Sequence, residues 1–198
     1  MKSSRASLPG VSAGLLLILL QLGGLPAREL LRYQREAIAG GEAWRLLTGN
    51  LVHADAAHLG WNLLGLAIVV VLVGGELAAG HWLLVTLAAA SAVGAGLYLL
   101  APDIAWYLGF SGVLHGLLLG GLLAQWRRSR SVATLAVAGL LIAKLGYEQG
   151  FGPLPFVAST GSELPIVHVA HSYGAAGGLA AWCLLALRAR RLARDSRA

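Results

Sequence analysis

The chain has 198 residues, of which 57% are hydrophobic and only 12% are charged, with a formal net charge of +6. An ordinary soluble domain carries roughly 25% charged residues, so this composition excludes a soluble surface and predicts a chain embedded in membrane lipid. The basic residues gather beside apolar segments, which is typical of positive cytoplasmic loops and excludes a nucleic-acid-binding stripe.

Six apolar segments approach the length of about 20 residues that a membrane-spanning helix needs. In chain order, the predicted spans are Pro9–Leu25, His53–Val73, His81–Leu100, Gly109–Trp126, Val132–Tyr147 and Pro165–Leu187. We expect residues 1–198 to form a single all-α membrane domain, because no linker or internal repeat divides the chain. The first span resembles a signal peptide, but no small-residue cleavage site follows it, so we expect it to be retained.

Three basic clusters set the expected orientation of these spans. They comprise Lys2 and Arg5 at the start, segment 127–130 after the fourth span, and the tail at residues 188–198. Six spans place all three clusters on one side, which the positive-inside rule assigns to the cytoplasm. Segment 28–52 then lies outside, and its mixed charged and apolar residues predict helices lying in the membrane interface.

Glycine recurs every fourth residue in two of the predicted spans. One stripe contains Gly112, Gly116 and Gly120, and the other contains Gly174 and Gly178. Such stripes let the backbones of membrane helices approach closely. By themselves they predict packing rather than chemistry.

Ionisable and polar side chains are costly inside a bilayer, and the first cluster of them lies in span two. His58 and Asn62 are four residues apart, so they share one helix face, whereas His53 is expected nearer the water. Hydrogen bonding between neighbouring helices would explain this cluster, taken alone, at least as well as catalysis.

The second cluster surrounds Ser111 at the outer end of span four, with Gly109, Gly112 and His115 nearby. A helix N-terminus offers free backbone N–H groups and the positive end of the helix dipole, which would stabilise an oxyanion. The alternative interpretation is an N-cap serine in a glycine-rich packing helix.

The third cluster contains His171, about two turns into span six, on the same face as Gly174. A core histidine satisfied by a neighbour is the alternative. Together, however, the three clusters supply a nucleophile, a base and oxyanion donors, which acyl transfer requires. The expected orientation also places all three clusters toward the outer leaflet.

At these residues the sequence resembles the rhomboid family of intramembrane serine proteases. Five motifs of the family are matched in chain order. They are a Trp-Arg pair (Trp44, Arg45), His-x4-His-x3-Asn (His53, His58, Asn62), Glu-x3-Gly (Glu76, Gly80), Gly-x-Ser-Gly (Gly109, Ser111, Gly112) and Ala-His-x2-Gly-x3-Gly (Ala170, His171, Gly174, Gly178). The resemblance covers nearly the whole chain. It implies a rhomboid-like bundle of six transmembrane helices with an interfacial outer loop between helices 1 and 2.

The resemblance also implies a role for each site residue. Ser111 attacks the scissile carbonyl and His171 takes its proton, and no acidic partner is matched, so a Ser-His dyad is expected rather than a triad. His58, Asn62 and the backbone N–H of Ser111 are the implied oxyanion donors, and losing one such donor costs roughly 100- to 1,000-fold in rate. No cofactor or metal ion is expected, and the single cysteine, Cys183, excludes an intrachain disulfide.

Within that family the sequence looks most like the bacterial rhombosortase subgroup. His115 stands where an aromatic often packs on the catalytic histidine, and the segments Trp44–Asn50 and Lys144–Gln149 add to the likeness. The subgroup implies a protease of the bacterial inner membrane with its active site toward the periplasm. Its substrate partners are secreted or surface proteins with a C-terminal Gly-Gly motif, a transmembrane helix and a basic tail, released by hydrolysis or by sortase-like transfer.

Lys144 and Glu148 form an i, i+4 pair near the outer end of span five. One interpretation is a local ion pair that neutralises itself, in the less favourable Lys-first order. The other is a substrate-facing role beside a lateral gate between spans two and five.

Other classes of function remain beside a sorting protease. They are a general rhomboid protease of other single-span substrates, a non-catalytic pseudoprotease that binds transmembrane segments, and a transporter with a histidine proton relay. The transporter would need polar residues at the bilayer midplane and inverted repeats, and the sequence shows neither.

Overall fold

The computed structural model describes residues 3–154 and 166–196, most of which are helical. The elements in chain order are α1 (Ser3–Leu22), α2 (Gly24–Leu31), β1 (Tyr33–Gln34), α3 (Arg35–Ala39), α4 (Arg45–Thr48), α5 (Ala56–Val73), a 3₁₀ turn (Gly74–Glu76), α6 (Ala79–Leu100), β2 (Trp106–Tyr107), α7 (Ser111–Ser129), α8 (Val132–Phe151) and α9 (Val169–Asp195). The predicted helical class is confirmed, and the one addition is the short antiparallel pairing of β1 with β2.

Three helical segments of the described chain are long and apolar enough to cross a membrane, namely Ala56–Glu76, Ala79–Leu100 and Val132–Phe151. The pair α1–α2, bent by 112°, gives a fourth candidate if it is one broken span. Helices α7 and α9 have the length but fall short in apolar content, because they carry the glycines and polar groups of the candidate site. Six spans therefore stays a prediction.

The start of α5 differs from the predicted start of span two. The helix begins at Ala56, because Asp55 caps it by accepting a hydrogen bond from the backbone N–H of His58 at 2.7 Å. His53 therefore precedes the helix. The expectation that it lies near the water is wrong, since its side chain is buried.

The last helix also starts later than predicted. Span six was expected to begin at Pro165, which lies outside the described residues, and α9 begins at Val169. His171 is consequently in the first turn of α9 and not two turns into a helix. Its backbone N–H donates to the carbonyl of His168 at 3.0 Å, as in a tight first turn.

The two glycine stripes, which the sequence predicted to pack closely against other helices, contact each other between α7 and α9. A Cβ atom on Gly174 would overlap the backbone of Gly112, and one on Gly178 would overlap the backbone of Gly116. On the other side of the same contact, Val93 of α6 lies 2.8 Å from the Cβ position of Gly112. The three helices α6, α7 and α9 thus form the centre of the bundle.

The segment between α1 and α5 contains short helices. Its predicted place at the outer membrane interface stays a prediction. Arg35 anchors it, donating hydrogen bonds of 2.6–3.2 Å to carbonyls at and after the end of α6, those of Leu97, Tyr98, Ala101 and Ile104. Arg45 is buried, pairs with Glu42, and donates to the carbonyls of Glu29 and Arg32. Trp44 is exposed, and its indole N–H donates to the carbonyl of Leu30 at 3.4 Å.

Candidate active site

The turn that leads into α7 fixes the position of Ser111. Gly109 has φ +123°, and a Cβ atom there would lie 2.8 Å from the ring of His58, so both the conformation and the space favour glycine. The hydroxyl of Tyr107 donates to the carbonyl of Gly109 at 2.7 Å, and the backbone N–H of Gly109 donates to the carbonyl of Gly49 at 3.1 Å. Ser111 therefore begins its helix from a turn held on two sides.

The structure brings the side chains of Ser111 and His171 together. The hydroxyl Oγ lies 3.0 Å from Nε2 of the imidazole, which is hydrogen-bonding distance. The serine is half-buried at the start of α7, and the histidine is buried in the first turn of α9. A neutral imidazole accepting this hydroxyl proton is the arrangement that activates a serine as a nucleophile.

The other ring nitrogen of His171 faces a carboxylate from α8. Oε2 of Glu148 lies 2.9 Å from Nδ1, and the Glu148 side chain is 1% exposed. The same oxygen accepts a hydrogen bond from Nζ of Lys144 at 2.7 Å, and Nζ is 3.2 Å from Nδ1. The expectation that His171 has no acidic partner is therefore corrected. The substrate-facing interpretation of Glu148 is corrected too, since its carboxylate points into the protein.

His115 packs on the face of the imidazole of His171. The two rings are stacked, with centroids 4.2 Å apart and planes inclined by 17°. Nδ1 of His115 donates to the carbonyl of Ser111 at 2.7 Å, which sets the orientation of its ring. His115 thus occupies the position of an aromatic packing residue, one turn below the serine.

The same groups include three residue types that can ligate a metal ion. His115, Glu148 and His171 offer ligand atoms that all lie within 4.8 Å of one another. A metal ion needs ring-nitrogen lone pairs that converge on one point, whereas stacked rings direct theirs nearly parallel. Lys144 also places an ammonium group on the carboxylate that would be the third ligand. These contacts favour proton transfer over metal binding.

The proposed oxyanion donors on α5 lie beside the serine turn. The ring of His58 adjoins Gly109, as described above, and Asn62 lies one turn further along the helix. Nδ2 of Asn62 donates one hydrogen to the carbonyl of His58 at 2.9 Å, which leaves its second hydrogen available. Among the described residues, Nδ1 of His58 and Oδ1 of Asn62 have no hydrogen-bond partner.

His53 lies behind His58, with the two rings edge to face at 5.1 Å. Burial and the nearby His58 lower the pKa of His53 to about 3, so its imidazole is neutral at physiological pH. Its contribution is therefore to pack behind the ring of His58.

Comparison with protein families gives a match to the Rhomboid domain over residues 40–188, about three quarters of the chain. The chain belongs to the rhomboid family. Rhomboids are intramembrane serine peptidases, so this rhomboid is a multi-pass membrane protein of a protease family. None of the curated proteins compared with it matches. The matched region contains all of the candidate-site residues described in this subsection.

Two residues of this rhomboid's site were missed or misread from the sequence. Glu148 was interpreted either as the ion-pair partner of Lys144 or as a substrate-facing residue, although a carboxylate within a predicted span also suggests a partner on another helix. Tyr107 was not singled out. Burial raises the pKa of its phenol, and the side chain of Ser111 and the backbone of Gly112 are its hydrogen-bond neighbours.

Proposed function

We propose that this rhomboid is an intramembrane serine endopeptidase that uses Ser111 and His171 for acyl transfer. The 3.0 Å separation of Oγ from Nε2 carries the proposal. Oγ adds to the scissile carbonyl carbon as its proton passes to Nε2. The C–N bond then breaks, Nε2 returns the proton to the leaving amine, and water or another amine resolves the acyl-enzyme.

Three donors are proposed to stabilise the negative charge on the carbonyl oxygen. The backbone N–H of Ser111 is at a helix N-terminus, where no intrahelical acceptor exists for it. His58 and the free amide hydrogen of Asn62 approach from α5. Because these groups are held in place before the reaction, they need no reorganisation when the charge develops.

The proposed substrates carry a C-terminal sorting tail made of a Gly-Gly motif, a transmembrane helix and a basic segment. The rhombosortase-like motifs support this class. Glycine is a poor helix former, so a Gly-Gly segment unwinds at low cost and can enter the site extended. Lateral access between α5 and α8 is favoured because α8 is the least covered of the three unbroken candidate spans. In its most apolar stretch 17% is buried, against 28% and 39% in the other two.

The proposed setting is the inner membrane of a bacterium. Both termini lie in the cytoplasm and Ser111 lies toward the periplasm, because the basic segments flank the opposite ends of the helices. Residues Lys2 and Arg197, which add to this charge pattern, lie outside the described part of the chain.

The decisive test is co-expression with a secreted substrate bearing the Gly-Gly sorting tail. We expect wild type to release the protein and Ser111→Ala and His171→Ala to leave it intact. Ser129→Ala and His81→Gln are matched controls, and both should process normally. Among the described contacts, the hydroxyl of Ser129 donates to the carbonyl of Gln125 within its own helix, and the exposed His81 lies near the start of α6.

Equal processing by all variants would overturn the protease assignment. Equal cleavage of a substrate whose Gly-Gly motif is replaced by Leu-Leu would instead indicate a general rhomboid protease. Mass spectrometry of the new C-terminus separates hydrolysis, which leaves a free carboxylate, from transfer, which adds the mass of an amine.

A further inference from the structure

The strongest unexplained feature is the buried carboxylate of Glu148. A carboxylate that is 1% exposed carries a large desolvation cost, and a single ion pair with a neighbour offsets it poorly. Here it accepts hydrogen bonds from two groups, Lys144 within its own helix and His171 across the α8–α9 contact. A local ion pair explains the first contact but not the second.

The second contact matters because it selects the proton arrangement of the imidazole. To accept the proton of Ser111, Nε2 must be unprotonated, so the single N–H proton of the neutral imidazole must be on Nδ1. A carboxylate 2.9 Å from Nδ1 accepts that proton in a hydrogen bond and so holds the ring in the productive tautomer. The same negative charge stabilises the imidazolium that forms when Oγ attacks.

We infer that Glu148 is a positioning residue for His171, which makes the site a Ser111–His171–Glu148 triad, and that Lys144 orients Glu148. This inference rests on the proposed function, because it assigns a role within the same reaction. The proton path is complete without Glu148, which stays ionised while the proton moves between Oγ, Nε2 and the leaving amine.

Lys144 makes the inference specific. Its Nζ is 3.2 Å from Nδ1, and an ammonium group can only donate. If it donated to Nδ1, the ring proton would have to sit on Nε2, which then could not accept the proton of Ser111. Glu148 prevents this by accepting from both groups. Without its carboxylate, Lys144 becomes the competitor that favours the unproductive tautomer.

The test uses purified full-length protein in lipid nanodiscs and a fluorophosphonate, whose phosphorus reacts with Oγ of an activated serine with loss of fluoride. We expect Glu148→Gln to lower the second-order labelling rate by roughly 10⁴-fold, the size of the effect of losing the carboxylate of a serine protease triad. Glu148→Asp keeps the charge and should recover part of the rate. Gln149→Ala should label at the wild-type rate, since it removes a different α8–α9 hydrogen bond, the one to Ser172 at 2.8 Å.

The double variant Lys144→Met/Glu148→Gln separates positioning from simple charge pairing. A purely structural ion pair predicts that the double variant regains the wild-type rate, because no charge is left unpaired. Our inference predicts that it labels faster than Glu148→Gln but stays at least roughly 100-fold below wild type, since Nδ1 still lacks its carboxylate.

The outcomes distinguish the two proposals. No labelling of wild type at Ser111 would refute the proposed function itself. Labelling of wild type that is lost in Ser111→Ala but unchanged in Glu148→Gln would refute only the triad. Full recovery in the double variant would refute it as well. Thermal unfolding of each variant, measured in the same nanodiscs, normalises the rates to folded protein.

Discussion

The closest contact between α7 and α9 yields a sharp prediction for Gly174→Ala. A Cβ atom on residue 174 would overlap the carbonyl group of Gly112, and backbone atoms cannot move away unless the helices separate. Overpacking of this kind costs about 1–3 kcal/mol. Because Gly112 adjoins Ser111 and position 174 is one turn from His171, the separation lengthens the Oγ–Nε2 contact. A displacement of about 1 Å can cost roughly 100-fold in rate.

We therefore expect Gly174→Ala to fold with lowered thermal stability and to react with a fluorophosphonate at least roughly 100-fold more slowly than wild type. Two glycine-to-alanine controls should keep the wild-type rate. In the same interface, a Cβ atom on Gly120 would approach no atom closer than 3.4 Å, and on α8 one on Gly139 would have no neighbour within 4 Å. A folded Gly174→Ala protein that labels at the wild-type rate would show that this contact does not set the Ser-His distance.

The remaining predictions concern the scaffold around the site. Tyr107→Phe removes the hydrogen-bond donor to the carbonyl of Gly109, so it should lower the free energy of unfolding by about 1–3 kcal/mol and slow fluorophosphonate labelling. Tyr33→Phe should change neither quantity, because the hydroxyl of Tyr33 has no hydrogen-bond partner among the described residues. Arg35→Lys loses the fork that serves four carbonyls and should lower the unfolding temperature. Arg190→Lys, at an exposed position of α9, should leave the unfolding temperature unchanged. Thermal unfolding in nanodiscs measures both pairs, and equal effects within a pair would contradict the assigned contacts.

The sequence predicted that α7 and α9 each pack closely against another helix, because a glycine stripe indicates close approach, but it did not identify the partner helix. In the structure, Gly112 and Gly116 meet Gly174 and Gly178. That contact also brings the side chains of Ser111 and His171 together, a pairing that the resemblance to the rhomboid family implied.

The partner of Glu148 could not be predicted in the same way. Spacing puts Lys144 and Glu148 on one face of α8, but it does not determine which face turns inward. A soluble helix shows its buried face by an apolar stripe, whereas α8 is apolar on nearly every side because lipid surrounds it. Its rotation about its own axis depends on packing against α7 and α9, which only the folded structure supplies.

The anchoring role of Arg35 could not be predicted from the sequence for a related reason. In the sequence it was one of several arginines in a segment of mixed charge, and its carbonyl partners lie more than 60 residues away. Unpaired carbonyls at the end of α6 require donors wherever water is scarce, but any nearby arginine could supply them. The choice depends on the β1–β2 pairing, two residues on each side, which is too short to leave a pattern in the sequence.

Packing and chemistry in this rhomboid depend on the same residues. Membrane helices gain little from the hydrophobic effect when they associate, so α7 and α9 need close van der Waals contact to stay together. Helices separated by larger side chains have axes about 8–10 Å apart. At that separation the short side chains of a serine and a histidine on facing helices would rarely come within hydrogen-bonding distance. Glycine at positions 112 and 174 removes that gap. The glycine stripes that pack α7 against α9 thus also allow the hydroxyl of Ser111 to contact the imidazole of His171.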